Sequence, residues 1–313
     1  MEKIDSSYPA VPALPARPAD TDRPVSHSHG RPLTDYIALT KPRLNVLVVA
    51  TSAAGYYLGA AGPIDFPVMA AAVVGTAFVA GGAAALNQLY ERDTDALMRR
   101  TRMRPLPDRR IAPSDARLFG LLLSAAGLVL LATMAGWLAA LLALGTLTIY
   151  LLIYTPLKRR SPVATLVGAV PGALPPLIGW AASRGDVSLG GLSLFLIVFL
   201  WQIPHFMAIA WMYRDDYRLA GFPMLPVIES DGRRTGRQAV AYAAALLPAS
   251  LLPVFAAVSG PLYAAVAGLL SAVLLALAIQ FARTRTDSAA RRLFFGSIIY
   301  LPLIWIAMIA DKL

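Results

Sequence analysis

A group of oxygen-bearing side chains directly follows a long apolar stretch in the first third of the chain. The segment "NQLYERDTD" occupies residues 87–95, after the apolar run of residues 66–86. If that run is a helix and the helix continues, Asn87, Glu91 and Asp95 fall on one face, whereas Asp93 points about 240° away from Asn87. Carboxylate oxygens are the ligands that Mg²⁺ prefers. The spacing therefore indicates a divalent-cation site, with simple solvation of a helix end as the alternative.

Basic residues and a second acidic pair extend this pattern. The segment "MRRTRMRPLPDRR" (98–110) follows the first acids and includes Arg99 and Arg102. Guanidinium groups match phosphate oxygens in a bidentate manner, although a patch for anionic lipid would look similar. Asp215 and Asp216 close a later apolar run, as the first acids do. We expect the two acidic clusters to hold Mg²⁺ around a diphosphate, with a solvated turn as the alternative for the second cluster.

The elements that carry these residues must be membrane helices. Hydrophobic residues make up 57% of the 313 residues, charged residues 15%, and the mean hydropathy is +0.60. Apolar runs of about 20 residues are long enough to span a bilayer as helices. The absence of cysteine excludes disulfides and thiolate catalysis. The sequence predicts an all-α polytopic membrane protein with nine transmembrane helices, at 44–62, 66–86, 117–136, 138–157, 162–182, 189–211, 237–258, 261–281 and 292–311.

The distribution of charge predicts the orientation of these helices. The net charge is +10, and 26 of the 28 Lys and Arg residues fall in alternate connections. By the positive-inside rule, those connections and the N-terminus are cytoplasmic, and nine spans place the C-terminus outside. The net charge therefore needs no nucleic-acid partner. We expect a disordered tail over residues 1–33 and a membrane domain over 34–313, with the long loops 87–116 and 212–236 forming its active-site face.

Two further positions attract attention within or beside the predicted spans. Lys158 and Tyr154 lie four residues apart, hence on one helix face at the end of the fourth span, where Lys158 either contacts phosphate or snorkels to the membrane surface. His205 lies inside an apolar span, where a polar side chain is costly. It could assist proton transfer or simply bond to a neighbouring helix. Helical periodicity places it on the same face as Asp216 and roughly 16 Å deeper.

These residues belong to segments that resemble the intramembrane prenyltransferases of the UbiA superfamily, and within it the branch that farnesylates haem. The generic motif N-D-x-x-D-x-x-x-D is represented by Asn87, Gln88, Glu91 and Asp95, so Gln and Glu replace two of its acids. In the second motif the position four residues before Asp216 holds Met212. The matching segments are "DYIALTKPR" (35–43), "NQLYERDTDALMRRTRMRPLP" (87–107), "YTPLKRRS" (154–161), "PGALPPLIGW" (171–180), "WQIPHF" (201–206) and "DDYRLAGFPMLPV" (215–227).

The resemblance implies an activity and a set of roles. The enzyme would transfer farnesyl from farnesyl diphosphate to a vinyl group of haem B, with addition of water, giving haem O for terminal oxidases. Mg²⁺ would be held by Glu91, Asp95 and either Asp215 or Asp216. The remaining site residues implied are Asn87 and His205 in catalysis, and Arg43, Arg99, Arg102, Tyr154, Lys158 and Tyr217 in substrate binding. With haem B as the acceptor, His205 could ligate the haem iron, orient the porphyrin or assist proton transfer.

The resemblance also implies a setting, and rival interpretations remain. It implies a bacterial plasma membrane, contact with membrane lipid, and a downstream haem A synthase as a candidate partner. One rival is a related enzyme that prenylates an aromatic quinone precursor or chlorophyllide, against which the "WQIPHF" and "AGFPMLPV" segments speak. Another is a transporter, whose acidic residues would lie within the spans near the middle of the membrane.

Overall fold

The computed structural model describes residues 32–313, which fold almost entirely into helices. The tail predicted for residues 1–33 therefore lies outside the described residues except for its last two positions. Within the described part there is no β-strand, only an isolated bridge between Ser259 and Lys312. The helices are α1 (Pro32–Leu39), α2 (Pro42–Gly59), α3 (Phe66–Asp95), α4 (Pro113–Leu130), α5 (Trp137–Thr148), α6 (Thr155–Leu157), α7 (Ala164–Arg184), α8 (Leu189–Met212), α9 (Arg214–Leu219), α10 (Leu225–Ile228), α11 (Arg233–Ala249), α12 (Leu252–Phe255), α13 (Pro261–Thr284) and α14 (Asp287–Ala310).

Nine long helical segments match the nine predicted spans in position. Two of them include π-helical stretches, Leu131–Ala135 after α4 and Ile149–Tyr154 between α5 and α6. Among the described residues, eight segments have both the length and the apolar composition to cross a membrane. The ninth, α2, has 18 residues and includes Arg43 and Asn45 near its start, which reduce its mean hydropathy. The all-α membrane architecture predicted from the sequence is confirmed.

Burial separates the central helices from the peripheral ones. The apolar windows of α3, α7 and α8 are 56%, 67% and 61% buried, whereas the window within Trp137–Leu157 is only 17% buried. Peripheral helices expose large apolar side chains, such as Leu121 and Leu122 on α4 and Leu269 on α13. A protein that is apolar on its outside is adapted to lipid rather than to water. The central helices are the ones that surround the cavity described below.

Glycines allow helix α2 to approach helix α7 closely. A Cβ atom on Gly179 would lie 1.9 Å from the carbonyl oxygen of Ser52, and one on Gly55 would lie 2.0 Å from the carbonyl oxygen of Pro176. Small residues at such crossings let two backbones touch, which is how helices associate in a membrane without a hydrophobic driving force. This contact fixes α7, and with it one wall of the cavity.

Helix α3 continues well beyond the predicted end of its span. It begins after Asp65, whose side chain accepts a hydrogen bond from the backbone N–H of Val68 at 3.1 Å, and ends at Asp95. Residues 87–95 contain no Gly or Pro, so nothing interrupts the helix until the turns that follow. The oxygen-bearing residues therefore lie on a regular helix, as their spacing required.

The two long loops pack against each other at the end of α3. A small apolar cluster joins Met98 from the first loop to Tyr217, Phe222 and Met224 from the second. An ion pair between exposed Arg110 and buried Asp35 fastens α1 to the first loop. The two loops thus form one continuous surface over the end of the bundle.

Candidate active site

A cavity of about 470 Å³ opens between the central helices below the two loops. Its apolar walls include Val79, Ala83 and Ala84 of α3 and Pro175 and Ile178 of α7. Polar and charged side chains collect at the end near the loops. Of the described residues, no Asp or Glu lies in the middle of a spanning helix, so the acids do not have the placement expected of a transporter.

Helix α3 presents Asn87, Glu91 and Asp95 to this cavity. Their relative exposures are 2%, 4% and 1%. The side chain of Asp93, by contrast, is 70% exposed and lies 3.7 Å from Arg92. The predicted division of this segment into an inward face and an outward acid is confirmed, because the helix persists through residue 95.

Each inward side chain is paired with a cation. The ammonium of Lys158 lies 3.1 Å from both carboxylate oxygens of Glu91, and Nη1 of Arg104 lies 2.7 Å from Oδ2 of Asp95. The ammonium of Lys41 donates to Oδ1 of Asn87 at 3.2 Å, and the amide of Asn87 donates to the Thr155 hydroxyl at 3.1 Å. Acids and bases are thus interleaved in a buried site, where each satisfies the charge of the other.

The two lysines respond differently to this environment. Burial, reinforced by the nearby Arg104, lowers the pKa of Lys41 from 10.5 to about 8, against the opposing effect of Glu91. Burial also acts to lower the pKa of Lys158, but Tyr154 and Glu91 outweigh it and raise that pKa above its ordinary value. Lys158 is therefore a permanent cation, whereas Lys41 can change charge near neutral pH.

One oxygen in the site has no partner. Oδ1 of Asp95 is buried and makes no hydrogen bond with the described residues, although Oδ2 of the same carboxylate binds Arg104. A buried carboxylate oxygen without a partner is costly, and a cation or a water molecule would satisfy it. With Glu91 one turn away on the same face, this arrangement fits a hard divalent cation, which takes one or two carboxylates and leaves positions for substrate oxygens.

The second acidic pair does not join the first. Asp215 is 76% exposed at its side chain and pairs with Arg218 at 2.7 Å, and Asp216 is only half-buried and does not line the cavity. The helix breaks at Tyr213, so α9 does not continue the face of α8. The expectation that Asp216 and His205 share one face is therefore wrong. Within residues 32–313 no three acidic or histidine side chains gather as a metal site.

The predicted substrate-binding residues divide in the same way. Tyr154, Lys158 and Tyr217 line the cavity, with Tyr217 turned inward from α9. Arg43, Arg99 and Arg102 are exposed and do not line it. Cationic residues that were not singled out as site residues line the cavity instead, namely Lys41, Arg100 and Arg104. Lys41 precedes Arg43 by two residues, but no periodicity indicated which of them faces inward, since both lie at the start of α2.

His205 lies on helix α8, a different helix from the one that carries the acidic residues, and its side chain lines the cavity. Its ring stacks between Trp201 and Phe294, with ring centroids 5.1 Å away on either side. Its Nδ1 atom lies 2.8 Å from the hydroxyl of Ser297 on α14. Trp201 is itself buried.

Gln202, also missed by sequence reasoning, closes the cavity between α7 and α8. Its side-chain amide donates to the carbonyl oxygens of Ala169 and Val198 at 3.2 and 3.0 Å. A Cβ atom on Gly172 would lie 2.1 Å from its amide oxygen, so the glycine makes room for this contact.

A helical membrane bundle with acids and cations at the head of an apolar cavity is the arrangement expected of an intramembrane prenyltransferase. The chain belongs to the UbiA prenyltransferase family, whose model matches residues 48–300. It is 44% identical over 289 residues to protoheme IX farnesyltransferase of Solibacter usitatus, covering 90% of this chain and 99% of that protein. It is 47% identical to the protoheme IX farnesyltransferase of Opitutus terrae, over 90% and 95% of the two chains.

Solved structures share the fold. The structure of digeranylgeranylglyceryl phosphate synthase superposes with a TM-score of 0.76 at 18% identity, over 90% of this chain and 98% of that one. A UbiA homologue from Archaeoglobus fulgidus bound to GPP and Mg²⁺ gives a TM-score of 0.63 at 18% identity, over 88% and 99%. At these identities the likeness establishes the fold, and the family membership makes the chain a prenyltransferase.

Proposed function

We propose that the protein transfers the farnesyl group of farnesyl diphosphate to a vinyl group of haem B. The C1–O bond of farnesyl diphosphate breaks, C1 bonds to the terminal vinyl carbon, and water adds to the inner vinyl carbon with loss of a proton. The products are haem O and diphosphate. The observation that carries this proposal is the interleaved set of acids and cations at the head of an apolar cavity, in a chain whose relatives bear that activity in their names.

The acidic face would hold the metal ion. Glu91 and the unpartnered oxygen of Asp95 are the groups best placed to bind Mg²⁺, and Asn87 extends the same face. Bound Mg²⁺ would neutralise the charge that develops on the leaving diphosphate. Asp215 and Asp216 take part in this only if α9 moves towards α3.

Binding of Mg²⁺ and the diphosphate requires the charged side chains of the cavity to exchange partners. Lys158 and Arg104, and the amide-bound Lys41, are engaged by the side chains of α3. Once a cation occupies the carboxylates, these groups are free to bind phosphate oxygens. Exposed Arg43, Arg99 and Arg102 would then act outside the cavity, by attracting the diphosphate to its entrance.

The cavity below would take the prenyl tail. Its apolar walls include alanine, valine, proline and isoleucine side chains from α3 and α7. An apolar enclosure keeps water from the allylic cation until the vinyl group has attacked. Tyr154 and Tyr217 stand where the charged and apolar regions meet.

The acceptor would lie against His205 and helix α8. The imidazole is the one histidine among the described residues, and it faces the cavity from a ring stack rather than from a loop. The proposal also assigns the enzyme to a bacterial plasma membrane, with its N-terminus in the cytoplasm. The enzyme would supply haem O to a downstream haem A synthase.

The test uses purified protein in lipid nanodiscs with haem B, farnesyl diphosphate and Mg²⁺. We expect a product heavier than haem B by a farnesyl group and one hydroxyl, and none after chelation of the metal. Parallel reactions offer an aromatic quinone precursor or chlorophyllide. Prenylation of one of these with haem B left unmodified would replace the proposed acceptor while leaving the prenyltransferase class intact.

A further inference from the structure

Ser297 on helix α14 is hydrogen-bonded to His205, the histidine that lines the cavity. Its hydroxyl lies 2.8 Å from Nδ1 of His205 and 2.6 Å from the carbonyl oxygen of Phe294. Its own carbonyl oxygen accepts a hydrogen bond of 2.8 Å from the indole N–H of Trp201. Phe294 and Trp201 are also the two rings that sandwich the imidazole. One fully buried serine therefore contacts His205 and both residues whose rings stack on it.

The contacts of Ser297 decide which nitrogen of His205 carries the proton. A carbonyl oxygen can only accept a hydrogen bond, so the hydroxyl must give its single hydrogen to Phe294. The hydroxyl oxygen then accepts from Nδ1, which must be the N–H of the ring. A charged imidazole is costly inside an apolar span. The neutral ring with Nδ1 protonated carries its lone pair on Nε2.

Nε2 is the atom left for a ligand. Both ring faces are covered, and Nδ1 is turned to α14, so the edge that carries Nε2 is the one that faces the cavity. Among residues 32–313 no group makes a hydrogen bond to Nε2. A histidine whose only role was to bond α8 to α14 would not need a ring edge that faces the cavity.

We propose that Ser297 is a positioning residue that fixes the tautomer and the orientation of His205, so that Nε2 binds the iron of the haem B substrate. This inference rests on the proposed function, since it takes haem B as the acceptor. Histidines that ligate a metal usually donate their other N–H to a fixed acceptor, which orients the ring and makes it a stronger ligand. Here the acceptor is a hydroxyl on a different helix.

The test is a titration of the full-length protein in nanodiscs with haem B alone, followed by the Soret band. Ser297→Ala removes the acceptor of Nδ1 and should weaken haem binding by about ten- to a hundredfold, with loss of the wild-type spectrum. Ser297→Thr keeps the hydroxyl and should restore both. His205→Gly should lose the spectrum and recover it when imidazole is added.

Ser271→Ala is the matched control. Ser271 is also a fully buried serine, bonded to the hydroxyls of Ser250 and Tyr300, but it does not line the cavity. Its loss should leave the haem spectrum and affinity unchanged. If Ser297→Ala binds haem B like the wild type, or if Ser271→Ala weakens binding equally, Ser297 has no positioning role.

Product analysis separates this inference from the proposed function. Wild-type protein that farnesylates haem B, with a spectrum indifferent to both His205→Gly and Ser297→Ala, overturns the iron contact but keeps the activity. Wild-type protein that neither binds nor modifies haem B overturns both.

Discussion

Replacement of Asp95 by asparagine is the sharpest test of the acidic face. The substitution keeps the size of the side chain and removes its charge, on a residue that is 1% exposed. It places an amide where Oδ1 now has no partner, and it takes the carboxylate away from Arg104, which lies 2.7 Å from Oδ2.

The expected magnitude follows from these contacts. At an effective dielectric constant of about 20, a contact of 2.7 Å between unit charges is worth roughly 6 kcal/mol before desolvation is subtracted. Loss of one partner of a buried pair costs about 3–5 kcal/mol. The side chain of Arg104 is 24% exposed and can turn towards water, so we expect a stability loss of about 1–2 kcal/mol. The loss in kcat/KM should be larger, about a hundred- to a thousandfold, since the carboxylate would also hold the Mg²⁺ that neutralises the leaving diphosphate.

The assay measures initial rates of haem farnesylation together with thermal unfolding in the same nanodiscs. Asp93→Asn is the matched control, because Asp93 lies two residues earlier on the same helix but is turned outward. We expect it to retain activity within about twofold. Equal effects of the two substitutions, or an Asp95→Asn enzyme with nearly normal kcat/KM, would refute the assignment of the inward face.

Three further predictions concern neighbouring contacts. Lys158→Met leaves the Glu91 carboxylate without its cation, so Mg²⁺ should raise the melting temperature of this variant more than that of the wild type; an equal rise would argue against partner exchange. Lys41 is charged below its pKa of about 8, so the affinity for a non-reactive farnesyl diphosphate analogue should fall by up to tenfold per pH unit above pH 8, and Lys41→Arg should remove this dependence. An unchanged slope in that variant would assign the titration to another group. Gly179→Ala forces a Cβ against the backbone of α2 and should destabilise the protein by about 1–3 kcal/mol or more, whereas Gly145→Ala, with nothing within 4 Å, should be tolerated. Similar melting temperatures for the two alanine variants would contradict the close helix crossing.

The helical membrane architecture and half of the candidate active site could be predicted from the sequence, because both follow from bilayer thickness and helical periodicity. Bilayer thickness sets helix length, and helical periodicity separates Asp93 from Asp95 once the helix is known to continue. Periodicity fails where the backbone turns, so the break at Tyr213 removed Asp216 from the face extrapolated from His205. The pairing of Arg104 with Asp95 depends on the path of a loop, which no local pattern encodes.

Ser297 was beyond sequence reasoning for a related reason. It lies 92 residues from His205, and only the packing of α14 against α8 brings them together. Lys41 and Arg43 are both basic residues two positions apart, and the sequence does not distinguish them. The backbone at the start of α2 turns only Lys41 into the cavity.

One uninterrupted helix, α3, lines the cavity from Thr76 to Asp95. The fifteen residue steps from Thr76 to Glu91 rise by about 22 Å, so this one helix would carry both the groups proposed to bind the diphosphate and a wall beside the prenyl tail. Ala80, Ala83 and Ala84 lie along this wall. A bulkier side chain there shortens the space for a prenyl chain without moving the carboxylates. In the proposed function, the length of the prenyl donor and the binding of its diphosphate would depend on separate positions of one helix, so either could change without the other.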